Sequence, residues 1–511
     1  MLKRKFISLI GMFGMILTLS SCYLGDPRNI NNNNVTPKEK VATPTFSVEA
    51  GSFNVDQEVE LSCTTTGTTI YYTIDGSEPT SASDVYSAPI IVSGNETVET
   101  IKAFAIKSGM DDSDVASATY TINYLQAAAP TISPSSGAVA NGTEVTLTTA
   151  TTGAEIRYTI NGVDPDGSSS LYNPSSKPTV TTAITFKARA IKSGYTSSIV
   201  SSASYTIIIP AGTQATFSGN GVPFKMVYVP GGLTFKAGLS DDTPTTVANA
   251  YWIGETSVTY ELWNTVKAWA TDAARGANIY SFINAGVMGK SGTGSAQQPV
   301  TTINWRDAMI WTNALTELYN ANNGTDPDYT CAYYTDAAYT TPIRTSTAAA
   351  INMTAGTQDA PYVKADATGF RMMASSEYEL AARYKGADSS NGAYQWPAAS
   401  GKWWTPGTYA SGATADYTNA TPTGLVSWNS ANSGTTTHDV KGKAANSLLL
   451  YDMSGNVSEW SFDWSTVGSS RAVRGGSWFN AALGMQIGNE NSSDPSLSLN
   501  RLGFRFVRTA Q

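Results

Sequence analysis

Leu450-Tyr-Asp-Met-Ser-Gly-Asn-Val-Ser-Glu-Trp460 is followed by Arg471-Ala-Val-Arg-Gly-Gly-Ser-Trp478 and Leu502-Gly-Phe-Arg-Phe-Val-Arg508. Two glycine-bearing turns, two tryptophans and several charged residues fall in one short span. Glycine admits the positive-φ backbone that a tight turn requires. Everything upstream reads as an anchor, a spacer and the first half of the domain that this stretch completes.

Working outward, Phe224-Lys-Met-Val-Tyr-Val-Pro-Gly-Gly232 alternates in the manner of a strand and stops at a Pro-Gly-Gly turn. Tyr251–Thr259 predicts a second short strand. In Tyr260–Trp269, Leu262, Val266 and Trp269 fall at helical spacing, with Thr259 placed to cap the helix. Arg306–Leu315 predicts a second amphipathic helix capped by Asn304. Gly369–Arg383 predicts a strand and a third short helix capped by Ser375 or Ser376. The long Gly/Ser/Thr/Asn stretches between them carry no clear period, so residues 213–511 read as one irregular α+β domain.

The ordered series is specific. Pro-Gly-Gly, Glu-x-Ser-Val-Thr, Asn-Trp-x-Asp-Ala, a long Gly-Phe-Arg…Glu-x-Glu-x-Ala-Ala-Arg motif and the three stretches quoted first follow one another between Phe224 and Arg508. In this it resembles the formylglycine-generating-enzyme (sulfatase-modifying factor) family, which implies an irregular C-type-lectin-like fold. In the catalytic members a pair of cysteines after the Gly-Gly-Ser motif works with copper and O₂, and soft Cu(I) calls for thiolates. The matching positions here are Asn480 and Met485, and no cysteine follows Cys331. No copper is therefore expected, and the domain reads as noncatalytic. The histidine-rich iron site of other members is excluded by a single histidine, His438, which precedes Asp439 in a Ser/Thr-rich loop and reads as solvated. The resemblance also implies structural calcium, through carboxylates of Asp452 and Glu459 and backbone oxygens of Gly455 and Val457, since hard oxygen donors suit Ca²⁺. The competing reading is that both carboxylates serve turn backbone and arginine partners. Trp460, Trp464 and Trp478 read as packing residues.

Variable proteins of diversity-generating retroelements use the same scaffold, and their variable region runs from about Arg-Gly-Gly-Ser-Trp to Gly-Phe-Arg. Variation there arises at adenines, typically in Asn codons. Changing the first two bases of such a codon cannot give Met, Gln, Glu, Lys or Trp. Phe479, Asn480, Ala482, Leu483, Gly484, Gly488, Asn489, Asn491, Ser492, Leu497, Leu499 and Asn500 are reachable and form the candidate ligand-binding set. Met485, Gln486 and Glu490 are not reachable and are expected to be fixed scaffold. Leu497 and Leu499, if exposed, would line a contact site; burial is the competing reading.

Farther upstream an internal repeat spans 42–125 and 126–210. Ile70-Tyr-Tyr-Thr-Ile-Asp-Gly matches Ile156-Arg-Tyr-Thr-Ile-Asn-Gly, and Ile101-Lys-Ala-Phe-Ala-Ile-Lys-Ser-Gly109 matches Phe186-Lys-Ala-Arg-Ala-Ile-Lys-Ser-Gly194. The offset is 86 positions at Tyr72/Tyr158 and 85 at Gly109/Gly194. Short alternating runs and Asp-Gly or Asn-Gly turns predict two all-β, Ig-like sandwiches. The Tyr-Thr-Ile-Asp-Gly-Ser-Glu-Pro motif resembles the chitobiase/β-hexosaminidase C-terminal repeat, an accessory module that spaces or helps bind surfaces. Glu78 and Asp164 occupy matching turns of separate copies, which gives them a turn role and not that of an acid-base pair.

At the N-terminus, Lys3-Arg4-Lys5 precedes an apolar run, Phe6–Leu19, that ends in Leu19-Ser-Ser-Cys22. This resembles a bacterial lipobox and implies a signal segment over 1–22, lipidation of Cys22 and an outer-membrane, surface-exposed location. Residues 23–41, with Asn31–Asn34, read as a disordered tether. Cys63 and Cys331 fall in different domains, so no disulfide framework is expected. A net charge of −8 argues against a nucleic-acid partner. The expectation is a lipoprotein that displays a lectin-like site for an unknown protein or glycan ligand on a two-module stalk. A formylglycine-generating-type oxidase or sulfatase activator, and a glycan-binding envelope scaffold, are the alternatives.

Overall fold

The computed structural model describes residues 37–323 and 329–510. The signal segment, Cys22 and most of the 23–41 tether lie outside the described residues. The chain divides between Thr206 and Ile207 into two compact units. Among the described residues no helix is long and apolar enough to cross a membrane.

The N-terminal unit holds two copies of one sandwich. The first copy has a five-stranded sheet in the order Gly51–Phe53, Ala116–Ile122, Thr97–Ile106, Thr69–Thr73, Asp84–Val85. In the second the order is Gly137–Ala140, Ser201–Ile208, Ile184–Ile191, Glu155–Thr159, Ser170–Leu171. The register repeats: Tyr72 lies opposite Ala103, and Tyr158 opposite Ala188. Buried hydroxyls repeat as well. Tyr120 donates to Val48 O (2.7 Å) and Tyr205 to Pro134 O (2.6 Å), while Ser113 and Ser198 accept from Ala105 and Ala190 N–H. Glu78 pairs with Lys102 and Asp164 with Lys187 in exposed positions, which is a duplicated surface contact.

Among the described residues the C-terminal unit has two larger sheets, several small ones and three main helices. One sheet runs Gln214–Gly219, Val222–Val229, Tyr251–Gly254, Phe506–Thr509, Arg371–Met372. The other runs Glu490–Ser493, Ser470–Arg474, Ser458–Thr466, Leu502–Phe504. Helices α1 (Tyr260–Ala270), α2 (Trp305–Asn323) and α3 (Ser375–Arg383) pack on them. Thr259 caps α1 by accepting from Leu262 N–H (3.2 Å). Asn304 caps α2 reciprocally: its Oδ1 accepts from Asp307 N–H (2.8 Å), and Asp307 Oδ2 accepts from Asn304 N–H (3.1 Å). Neither Ser375 nor Ser376 caps α3. Ala374 stands at the cap and its N–H is taken by Glu377 (2.8 Å), a carboxylate already oriented by Arg371 (2.6 and 2.8 Å).

The core is aromatic. Trp263 and Trp311 stack with 6.0 Å between ring centroids, and Phe504 meets Trp311 edge-on at 5.2 Å. Three buried indole N–H groups find carbonyls: Trp311 on Trp263 O (3.2 Å), Trp305 on Ser461 O (2.8 Å) and Trp460 on Ile303 O (3.4 Å). Trp460 and Trp478 are buried. Trp464 departs from the core expectation. It is half-buried and covers Arg471, whose guanidinium lies between Trp464 (3.6 Å) and Trp305 (3.7 Å).

Candidate functional site

The charged residues of the motifs are consumed by one another. Arg505 Nε reaches both oxygens of Glu459 (3.1 Å each), and Ser257 Oγ donates to the same carboxylate (2.6 Å). Glu379 receives Arg383 (2.6 Å) on one oxygen and Arg474 (2.6 Å) on the other. Arg306 holds Asp359 with both side chains fully buried. Buried ions are tolerated only when paired and hydrogen-bonded, so these motif residues lock distant segments into one frame.

The 452–459 loop sits inside that frame. Asp452 (φ +54°), Gly455 (φ +85°) and Asn456 (φ +61°) all take left-handed backbone. A β-carbon at Gly455 would lie 2.4 Å from Trp428 O, so only glycine fits. Asp452 Oδ2 accepts from Lys441 N–H (2.9 Å), while its Oδ1 is buried with no partner. Burial pushes this carboxyl up to about 6. An orphaned, buried carboxylate oxygen suits a cation. Glu459 Oε1 is taken up by Ser257 and Arg505, while Oε2 receives only Arg505 and keeps a further lone pair. Among the described residues no three His, Cys, Asp or Glu side chains gather to hold a metal. A cation here would thus rely on backbone carbonyls such as those of Gly455 and Val457.

Residues 428–443 strap this loop to the segment that begins at Trp478, and His438 is part of the strap. The solvated reading of His438 is corrected: its ring stacks on Trp428 at 3.7 Å, and its Nε2 lies 2.8 Å from Ser433 O. Asn456 is the hub. Its N–H donates to Trp428 O (2.9 Å), its carbonyl accepts from Trp478 N–H (2.9 Å), and its amide exchanges two bonds with His438 backbone (3.0 Å each).

Asn480 and Met485 have structural occupations. Asn480 Oδ1 accepts from Ser477 N–H (3.0 Å) and Oγ (2.7 Å), which closes the turn after Gly476. Met485, fully buried, fills a small cluster with Ala410, Ala413 and Val426. Cys331 is buried under α2 with its Sγ 3.7 Å from Asn313 O, and burial raises its thiol well above the ordinary range.

Around these anchors the candidate residues separate. Phe479 (58% exposed), Leu483 (57%) and Leu497 (48%) stand open, as do Asn491, Ser492 and Asn500. Asn480, Ala482, Asn489 and Leu499 are half-buried, and Leu499 packs against the main core. Gly484 is also half-buried, and a β-carbon there would lie 2.8 Å from Asn480 Cβ. Gly488 is corrected: it is buried, and a β-carbon would meet Gly238 O at 2.4 Å, so it belongs to the frame and not to the surface. Met485 and Gln486 are buried, and Glu490 accepts from Ser375 Oγ (2.6 Å), so all three anchor the segment.

A polar hollow of about 180 Å³ opens on this surface, lined by Ser458, Asn480, Asn491, Ser492, Ser493 and Arg501 with Leu499 at its side. A more apolar one of about 320 Å³ lies by Leu425, Ala431 and Ala482. Arg501 carries no role in the sequence reading, where it only closes the segment. Its state is set by packing: the guanidinium lies 5.2 Å from the Phe479 ring centroid, a relation that no local pattern signals.

A family model for the sulfatase-modifying factor enzyme 1-like domain matches residues 213–510, and one for the chitobiase/beta-hexosaminidase C-terminal domain matches 48–117 and 134–202. No curated protein is a significant match to the chain. Among solved structures, Treponema denticola variable protein 1 is similar at 26% identity over 59% of this chain and 100% of its own, with a TM-score of 0.43. CarF is similar at 26% identity over 56% and 98%, also with a TM-score of 0.43. PvdO from Pseudomonas aeruginosa is similar at 16% identity over 59% and 100%, with a TM-score of 0.36.

Proposed function

The chain belongs to the sulfatase-modifying factor enzyme 1-like family, and from that premise we propose that its C-terminal unit is a noncatalytic binding domain. The observation that carries this reading is the pair Asn480 and Met485, which close a turn and fill a core at the positions of the family's catalytic cysteines. The ligand, a protein or glycan, meets the open surface between Phe479 and Arg501. The lipobox-like Leu19–Cys22 supports lipid anchoring in a bacterial envelope, with the two sandwiches as the stalk. Retroelement diversification fits the same segment, since the unreachable residues Met485, Gln486 and Glu490 are the anchored ones. The test replaces Phe479, Leu483, Asn491, Ser492 and Leu497 with Ala or Ser in the full chain. Binding to intact host or bacterial cells is expected to disappear with folding retained, and unchanged binding overturns the reading. Copper-dependent oxidation of a sulfatase-type cysteine peptide would overturn the noncatalytic part.

Calcium in the 452–459 loop is part of the proposal, with Asp452 and Glu459 supplying carboxylate oxygen and Gly455 and Val457 backbone oxygen. Bound there, it would neutralise the buried carboxyl of Asp452. In chelator, folding holds this group up to about 6, against about 3.9 for an unfolded Asp. The charged form is disfavoured in the folded state. The contribution of this group to stability is therefore full below about pH 4 and is lost as pH rises through 6, by roughly 3 kcal/mol at neutral pH. Calcium is expected to restore that loss, and Asp452→Asn to abolish both the loss and the calcium response. Thermal unfolding between pH 4 and 7.5, with calcium or chelator, checks this; curves that ignore calcium at every pH reject it.

A further inference from the structure

Arg501 is set apart from the other arginines of its unit. From Arg275 on Glu317 to Arg508 on Tyr329, each of the others donates a hydrogen bond to a side chain or carbonyl. The Arg501 side chain has neither hydrogen bond nor ion pair among the described residues, and its guanidinium lies against the ring of Phe479. A guanidinium laid against an aromatic face keeps its edge donors free.

The hollow beside it is furnished with neutral polar groups. Asn480 spends its Oδ1 on Ser477, which leaves its amide N–H donors available. Ser458, Asn491, Ser492 and Ser493 add hydroxyls and an amide, and no Asp or Glu lines the space. The edge strand Glu490–Ser493 is held by Glu490 on Ser375 and by pairing of Asn491 with Val473, so the backbone that carries Asn491 and Ser492 is in place before a ligand arrives. A preset backbone lowers the ordering cost of binding.

Resting on the binding-surface reading above, we infer that this hollow is a subsite for an acidic sugar residue of a glycan. The carboxylate pairs with Arg501 and the ring hydroxyls exchange hydrogen bonds with Asn480, Asn491 and Ser492. A fork of N–H donors matches a carboxylate. The hydroxyl and amide walls of this hollow of about 180 Å³ supply the donors and acceptors that the hydroxyls of a sugar ring require.

The test titrates the full chain with methyl β-D-glucuronide, methyl β-D-glucoside and a short acetylated peptide with a free C-terminal carboxylate, by calorimetry or ligand-observed NMR. Saturable binding of the glucuronide is expected, weaker by tenfold or more for the glucoside and for the peptide. Arg501→Gln is expected to lose the glucuronide preference, and Arg501→Lys to retain part of it, with unchanged melting in both. Equal binding of glucoside, equal or tighter binding of peptide, an unaffected Arg501→Gln, or no saturable glucuronide binding at millimolar concentration would each overturn the subsite. Those outcomes leave cell binding by the 479–501 surface to its own experiment, so the two readings fail separately.

Discussion

Glu379→Ala is expected to destabilise the C-terminal unit by about 3–5 kcal/mol or more, the cost of leaving a buried charge without its partner. Glu379 is the shared counter-ion of two arginines that are themselves buried. One oxygen receives Arg383 Nε (2.8 Å), Arg383 Nη2 (2.6 Å) and Gly238 N–H (2.8 Å); the other receives Arg474 (2.6 Å). Without it Arg383 keeps Asp241, while Arg474 keeps only carbonyls, those of Asn489 and Ile487, apart from a distant Glu490 (3.9 Å). A domain holds about 5–15 kcal/mol in all, so the variant is expected to lose a large share of its stability and to melt at a markedly lower temperature. Because Arg474 clamps the backbone of Ile487 and Asn489, the 479–500 segment should loosen first. Urea unfolding followed by tryptophan fluorescence measures the loss. A value below about 1 kcal/mol would show that the arginines find other partners. Glu379→Gln, which keeps an acceptor without the charge, is expected to fall between.

Asn456→Ala is the second large effect, about 2–4 kcal/mol. Two bonds to the His438 backbone disappear at roughly 1 kcal/mol each. Alanine must also adopt φ +61°, at a further cost of about 1–2 kcal/mol. The Asn456→Gly variant separates these contributions. Glycine accepts the backbone at no steric cost, so its loss should equal that of the bonds alone. Melting temperatures of the two variants, with calcium and without, provide the measurement. Identical losses for Ala and Gly would mean that the left-handed backbone carries no cost.

What could be read from the sequence followed the range of the interaction. The caps Thr259 and Asn304 act within three residues, and local pattern located both. The repeat was legible because a shift of 86 or 85 positions reproduces the same buried tyrosines and serines. The cap of α3 was misread because its acceptor, Glu377, lies inside the helix and depends on Arg371. His438 was misread because its surroundings are made by Trp428 and by Asn456. The ion pairs joining Glu459 to Arg505 and Glu379 to Arg474 link segments with no shared period. Within the 479–500 segment, codon reasoning separated anchored Met485 and Gln486 from open Phe479 and Asn491. It placed Gly488 wrongly, since close approach to Gly238 is a tertiary fact.

The strand Phe506–Thr509 lies between Tyr251–Gly254 and Arg371–Met372, so Val507 faces both Ile253 and Arg371. The sheet cannot close until the far end of the unit has left the ribosome. Arg505, just before that strand, must arrive with it to neutralise Glu459. Folding of this unit is therefore a late event dominated by long-range pairing, which is slow. During that interval the half-built sheet needs shelter from neighbouring chains, because exposed apolar surface and open strand edges invite aggregation. The two sandwiches, complete by Thr206, face no such delay. The order of synthesis thus makes the C-terminal unit the part of the chain that stays open longest to such aggregation.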